Sequence, residues 1–173
     1  MLQFWFEEIS PAQWWKVDAD FDRLVVERFS GLHQRATNAE LYEWRSGPAG
    51  RLAEIIVLDQ FSRNMFRGNG RAFAADPLAL ALAQEAVARK ADLALPQERR
   101  VFLYMPYMHS ESRAIHVVAE RLFKECAPDN YDFELRHKAI VDRFGRYPHR
   151  NTMLGRQSTD EEIAFLAQPG SSF

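Results

Sequence analysis

Three short stretches of this sequence combine charged, imidazole and aromatic side chains, and each coincides with a predicted helix end or helix break. They read LDQFSRNMFRG at 58–68, YMPYMHSE at 104–111 and FGRYPHRN at 144–151. Guanidinium groups bind carboxylates and phosphates through forked donors, and imidazole groups transfer protons near neutral pH. These stretches therefore hold the candidate binding or catalytic residues of the chain.

In the first stretch, Asp59, Arg63 and Arg67 recur at four-residue intervals, so they share one face of a predicted helix. A charged row on an apolar helix must be paired or must border a cavity. One interpretation is an internal ion pair, with arginines complementing the helix C-terminus. The other is a binding site in which Arg63 and Arg67, next to Asn64, hold a carboxylate or a phosphate.

Pro106 is predicted to kink the helix of the second stretch or to end it near His109, and a broken helix presents its side chains on irregular backbone. We expect an accessible hydroxyl at Tyr104, and we expect His109 to act as an acid or base that Glu111 orients. The competing interpretation is that His109 and Ser110 only cap the broken helix ends. The sequence leaves both interpretations open.

The third stretch crowds hydrogen-bond donors into a few residues around Tyr147-Pro148, which forces an extended backbone. The side chains concerned are Arg146, His149, Arg150 and Asn151. Such a loop suits an anion. A structural clamp, in which the arginines bind exposed helix carbonyls, is an equally open interpretation.

Metal and cofactor signatures are missing from the sequence. His116 and Glu120 form one half of a metal-ligand pair without a matching partner, and we interpret them as part of a solvated face. Glycine-rich phosphate loops, dinucleotide fingerprints, nucleophile elbows and paired-histidine zinc helices are also missing. We therefore predict no cofactor and no bound metal.

The elements that must position these residues are helices, because every clear apolar period has helical spacing. Several local signals mark where helices begin and end. Asp20, Asp76 and Ser110 are predicted N-caps, and Pro48 and Pro96 are predicted to begin helices. Gly145 is a predicted left-handed C-cap, and Ser158 with Glu161 or Thr159 with Glu162 forms a capping box. The helix after Pro48 is apolar nearly all round, so it is predicted to be central. Trp14 and Trp15 are predicted to form a lid.

Short turns between successive helices predict an all-α fold of stacked antiparallel helical hairpins, about eight to nine helices in a tetratricopeptide-like array. The sequence contains no linker-like or low-complexity tract before Ser171, so residues 1–173 are predicted to form one domain.

Composition limits the partners and the compartment. The net charge is −2 and the pI is about 6.2, which disfavours nucleic acid as a partner. The single cysteine, Cys126, rules out an internal disulfide and fits a reducing, cytoplasmic setting. Residues 1–10 lack the pattern of a targeting segment, and no apolar run is long enough to span a bilayer. We therefore expect a soluble protein without a membrane partner.

The three stretches, in this order and at these separations, resemble the signatures of the bacterial family known as domain of unknown function 924. The resemblance runs from Phe4 to the region 158–162. It implies a tetratricopeptide-like helical fold and no known activity or cofactor. The residues that match are Asp59, Gln60, Phe61, Arg63, Asn64, Arg67, Pro106, His109, Ser110, Glu111, Gly145, Arg146, Pro148, His149, Arg150 and Asn151. Ser112 and Arg113 depart from the acidic continuation expected after Glu111.

Three functions are consistent with these observations. In the leading hypothesis, the stretches form one concave pocket for a small anion or a peptide carboxylate, with charge from Arg63, Arg67, Arg146 and Arg150. In the second, the protein is a hydrolase or proton-transfer enzyme that uses His109 or His149 with Glu111. In the third, the motifs are structural clamps and the tryptophans form a surface for a protein partner or for self-association into a homo-oligomer.

Overall fold

The computed structural model describes residues 1–172, and within them the chain forms eight α-helices and no strand. These are α1 (Ala19–Thr37), α2 (Pro48–Ile56), α3 (Ser62–Met65), α4 (Asp76–Ala88), α5 (Gln97–Met108), α6 (Arg113–Cys126), α7 (Tyr131–Phe144) and α8 (Asp160–Leu166). The predicted all-α class is confirmed. The tetratricopeptide-like arrangement of the helices remains a prediction.

The central helix is continuous from Pro48 to Met65, because a π-helical turn at Val57–Phe61 joins α2 to α3. Its middle part is fully buried, as the all-round apolar pattern predicts; the fully buried side chains include Leu52, Ile55, Ile56, Leu58 and Phe61. Turns of π-helix are frequent at functional sites. In this protein the turn carries Asp59 and Gln60, which belong to the first polar stretch.

Two predicted aspartate caps are wrong, and both errors concern the first turn of a helix. Asp18, not Asp20, caps α1, because its Oδ1 accepts from the backbone N–H groups of Asp20 and Phe21 at 3.0 and 3.2 Å. Asp76 is the first residue of α4 rather than its cap. Its carboxylate is therefore available to partners elsewhere in the fold.

The helix ends around the other two stretches follow the sequence more closely. Helix α5 continues through Pro106 and ends at Met108, so the predicted end near His109 is confirmed. Ser110 does not cap α6; the cap position is Ser112, whose N–H donates to the Ser110 hydroxyl at 3.2 Å. Gly145 terminates α7 with φ of 70°, the left-handed conformation that glycine adopts without strain. Thr159 and Glu162 form the predicted capping box of α8.

Successive helices pack against one another from α4 through α7, while α1 packs on α3 and on the π-helical turn. One large apolar core contains most of the buried side chains, including Phe4 and Trp5 from the N-terminal segment. Within residues 1–172, none of the helices combines the length and apolarity needed to cross a membrane. The packing brings the C-terminal part of the central helix, the end of α5 and the segment after α7 to one side of the core.

Candidate functional site

A cavity of about 490 Å³ receives side chains from all three polar stretches. Arg63, Asn64 and Arg67 reach it from the central helix and the turn that follows. Met108 and His109 reach it from the end of α5, and His149 and Arg150 from the short helix Pro148–Arg150. Residues separated by more than 80 positions in the chain therefore share one hollow.

An aspartate and a histidine form the polar end of the cavity. Asp59 is fully buried, and its Oδ1 lies 2.7 Å from Nδ1 of His109. The same Oδ1 lies 3.1 Å from a guanidinium nitrogen of Arg63. The carboxylate therefore sits between a guanidinium and an imidazole, and it fixes the orientation of the imidazole ring.

Asp76 connects two arginines at the same end. Arg63 donates to both of its carboxylate oxygens at 3.1 and 3.2 Å, and Arg150 donates to Oδ2 at 3.2 Å. Arg150 also donates to the backbone carbonyl of His109 at 3.0 Å. Two guanidinium groups thus face two carboxylates, so the charges of Asp59, Arg63, Asp76 and Arg150 cancel.

Burial and charge keep the imidazoles of the cavity neutral. Burial lowers the pKa of His109, and Arg63 lowers it further, against the opposing effects of Asp59 and Asp76. Burial also lowers the pKa of His137 to about 3 and that of His149 to about 4. Burial alone would raise the Asp59 pKa, but Arg63 and His109 hold it below its usual range. At neutral pH, a charged Asp59 therefore faces a neutral His109.

The rest of the cavity is mostly apolar. Side chains from several elements form this wall: Trp14, Trp15, Phe73, Met105, Met108 and Phe133. The indole N–H of Trp14 donates to the Trp5 carbonyl at 2.9 Å, and Trp15 is half exposed. The placement of the two tryptophans on the cavity matches the predicted lid.

Six of the eleven predicted site residues line the cavity: Arg63, Asn64, Arg67, His109, His149 and Arg150. Asn64 and Arg67 are also fixed by the Asp22 carboxylate, which accepts from Asn64 at 2.8 Å and from Arg67 at 2.5 and 2.9 Å. Asp59 does not line the cavity and acts on it through His109.

The other four predicted residues lie outside the cavity, and each binds a partner elsewhere in the protein. Burial raises the pKa of Tyr104, whose hydroxyl donates to buried Asp92 at 2.6 Å, so the expected accessible hydroxyl is wrong. Glu111 accepts from Arg156 at 2.6 Å and from the Tyr147 N–H at 2.8 Å, so its predicted pairing with His109 is wrong.

Arg146 and Asn151 are both directed away from the cavity, to the C-terminal helix. Arg146 donates to both carboxylate oxygens of Glu162 at 2.7 and 2.8 Å. Asn151 is buried and donates to Glu162 and to the Ser158 hydroxyl at 3.2 and 3.1 Å. These two side chains therefore hold the C-terminal segment, but mainly through the Glu162 carboxylate rather than through the exposed helix carbonyls that the clamp interpretation predicts.

A second carboxylate–imidazole pair lies nearby, and it corrects the prediction that His116 is on a solvated face. His116 and Glu134 are fully buried, with Nδ1 2.7 Å from Oε1. Nε2 of the same ring lies 2.8 Å from the Ser110 carbonyl and 3.2 Å from the Tyr147 hydroxyl. Within residues 1–172, no three histidine, cysteine, aspartate or glutamate side chains are grouped so that they could hold a metal ion.

The family model described as "Bacterial protein of unknown function (DUF924)" matches residues 1–170. The chain belongs to this family. The solved structure of a protein of unknown function from Agrobacterium tumefaciens is similar, with 39% sequence identity and a TM-score of 0.92. The similarity covers 96% of this chain and 94% of the Agrobacterium chain. No curated protein matches the sequence.

Sequence reasoning missed two residues that line the cavity, His137 and Tyr147, and one, Asp76, that holds two of its arginines. Asp76 was interpreted as a helix cap, although a carboxylate at the first helical position can equally pair with distant arginines. His137 lines the cavity from α7, whereas the sequence shows it only as a histidine among the apolar residues of a predicted helix. Tyr147 lies inside the third stretch, and its ring packs against His137 at 5.8 Å. In the sequence, the one indication of this part of the cavity wall is a histidine, His137, on an otherwise apolar helix face.

Proposed function

We propose that the protein binds a small organic anion in this cavity, with an apolar body against the aromatic wall and an acidic head at the polar end. The observation that carries the proposal is the convergence of three separated polar stretches on one hollow. A volume of about 490 Å³ lies in the range of pockets that bind small molecules. A peptide carboxylate presents the same head group.

The polar end offers donors for such a head group. Arg63 and Arg150 are forked donors, and their own charges are already balanced by Asp59 and Asp76. An added carboxylate or sulfonate therefore brings one uncompensated negative charge. Protonation of His109 is the response that restores neutrality, because Asp59 stabilises the imidazolium form. Binding of an anion is expected to strengthen as the pH falls.

A pair of fluorescent probes separates the contributions of the acidic head group and of the apolar body to the binding affinity. The first is 1-anilinonaphthalene-8-sulfonate, whose sulfonate stays charged over the useful pH range, and the second is N-phenyl-1-naphthylamine, which has a similar body without the charge. Fluorescence titration of the folded protein between pH 5 and pH 8 should show tighter binding of the sulfonate at low pH. Binding of the uncharged amine should stay constant.

Two matched arginine variants locate the head group. Arg150→Gln removes a donor of the cavity, and Arg146→Gln removes a guanidinium that lies outside it on Glu162. Loss of one charge-assisted hydrogen bond corresponds to roughly a 10- to 100-fold weaker affinity for the sulfonate. We expect that loss for Arg150→Gln alone. Equal affinities for the sulfonate in both variants and in the unmodified protein would contradict the proposal.

A further inference from the structure

Resting on this proposed function, we infer that the cavity is a catalytic site: His109, oriented by Asp59, is the general base that adds water to an ester with an apolar acyl group. The carboxylate product of that reaction is an anion of the proposed class. The inference is carried by an imidazole whose two nitrogens have different surroundings, one facing a buried carboxylate and one facing the cavity.

The hydrogen bond to Asp59 determines which nitrogen of His109 can accept a proton. An ionised carboxylate only accepts hydrogen bonds, so Nδ1 of a neutral His109 must carry the proton in the 2.7 Å contact. Nε2 then carries a lone pair, and within residues 1–172 it has no hydrogen-bond partner. Because His109 lines the cavity, this lone pair can reach a water or substrate proton.

The cavity wall indicates that water, rather than a side chain, is the nucleophile. Among the described residues that line it, there is no serine, threonine or cysteine. Tyr147 supplies a hydroxyl to the described lining, but that hydroxyl already donates to the Met108 carbonyl. His109 therefore has no uncommitted hydroxyl or thiol of the described lining to activate. The apolar wall formed by residues such as Met105, Phe73 and Phe133 suits a hydrocarbon acyl group.

The reaction balances without a co-reactant. Nε2 takes a proton from water as the water oxygen bonds to the carbonyl carbon, and the carbonyl electron pair moves to oxygen. When the tetrahedral intermediate collapses, the bond to the alcohol oxygen breaks and the alcohol takes the proton back from Nε2. The carboxylic acid then loses its proton to solvent, which leaves a carboxylate, an alcohol and neutral His109.

Electrostatics at the polar end favour this charge separation. The tetrahedral oxyanion has Arg63 and Arg150 as nearby donors, and the imidazolium form of His109 has Asp59. The net charge of the site stays at zero when the oxyanion and the imidazolium form together. Groups that are already in place do not need to reorganise during the step.

Hydrolysis of 4-nitrophenyl butyrate, followed by absorbance of 4-nitrophenolate, tests the inference. The folded protein should accelerate hydrolysis over buffer, with a rate that rises with pH through the lowered pKa of His109 and then levels off. His109→Gln should lose about 100-fold or more in kcat/KM and the pH limb with it. His33→Gln is the matched control, because this buried histidine lies outside the cavity on Ser62 at 2.8 Å. Its activity per folded molecule should not change.

A second variant separates the role of Asp59 in positioning His109 from the binding of the ester. Asp59→Asn keeps the shape of the side chain and removes the charge that stabilises imidazolium, so kcat should fall while KM stays the same. Binding of anilinonaphthalene sulfonate without hydrolysis of the ester would overturn the inference and leave the proposed function standing. Hydrolysis that survives His109→Gln unchanged would also overturn it. Absence of both binding and hydrolysis would remove both proposals.

Discussion

The protein contains two carboxylate–imidazole pairs with the same distance between nitrogen and oxygen, but the surroundings of the two pairs differ. Asp59 and His109 meet at 2.7 Å at the end of a cavity, whereas Glu134 and His116 meet at 2.7 Å with both side chains fully buried. Nε2 of His116 is occupied by the Ser110 carbonyl and the Tyr147 hydroxyl. Access to the second ring nitrogen, rather than the pair itself, distinguishes a candidate site from a structural contact.

The pKa values of the two carboxyl groups are shifted in opposite directions. Burial raises the pKa of both, but Arg63 and His109 reverse the effect at Asp59 and hold its pKa low. At Glu134, burial outweighs His116, so the pKa stays above its usual range. The first pair is therefore part of an ionic network, and the second favours the protonated acid.

The largest expected effect comes from breaking the ionic network. Arg63→Met leaves the buried Asp59 carboxylate with His109 and Gln60 but without its guanidinium, and it removes two donors from Asp76. Loss of one partner of a buried ion pair costs about 3–5 kcal/mol of the free energy of unfolding, measurable by urea denaturation. The control is Arg35→Met, since its pair with Glu40 is exposed and such pairs contribute about 0–1 kcal/mol. Similar losses in both variants would contradict the network.

The two pairs can be compared further through the pH dependence of stability in variants whose carboxyl group is replaced by an uncharged amide. The lowered pKa of Asp59 stabilises the fold above about pH 4, and that contribution is lost as the pH falls further. The raised pKa of Glu134 stabilises the fold below about pH 4.5, and that contribution is lost as the pH rises. Asp59→Asn should therefore be more destabilising at pH 7 than at pH 3, and Glu134→Gln the reverse. Denaturation at both pH values measures the two trends, and trends of the same sign would count against the assignment.

The sequence predicted features that depend on neighbouring residues, but it did not predict pairings between distant helices. Two predictions that depend only on neighbouring residues are confirmed: Gly145 ends α7, and Thr159 with Glu162 caps the start of α8. The burial of the central helix followed from its apolar pattern. His116 was assigned to solvent because its partner Glu134 comes from another helix, 18 residues away.

Partners from distant elements also explain the errors within the third stretch. Arg146 and Arg150 are four residues apart but do not belong to one helix. Helix α7 ends at Gly145, and a separate short helix spans Pro148–Arg150. The two side chains therefore do not share a face, and Arg146 reaches α8 while Arg150 reaches Asp76. The general position of the site could be predicted, because polar stretches at helix ends are informative. The pairings within it required the tertiary fold.

A smaller effect is expected at Trp15, one of the two tryptophans that line the cavity. Trp15 is half exposed on the cavity wall and stacks on Phe102 with ring centroids 5.9 Å apart. Trp15→Ala should weaken binding of anilinonaphthalene sulfonate by roughly 2- to 10-fold, the value of one aromatic contact. Tyr42→Ala, at an exposed aromatic outside the cavity, serves as the control and should leave affinity unchanged. A stronger loss at Tyr42 than at Trp15 would place the ligand elsewhere.

Acylation of histidines by diethyl pyrocarbonate tests the central claim directly, because the reagent reacts with an accessible, unprotonated imidazole nitrogen. At pH 7, with peptides quantified by mass spectrometry, His109 should be modified and His116 should stay unmodified in the folded protein. Saturating anilinonaphthalene sulfonate should protect His109. Modification of His116 as fast as His109, or of His109 without protection by the sulfonate, would contradict an open site at Asp59 and His109.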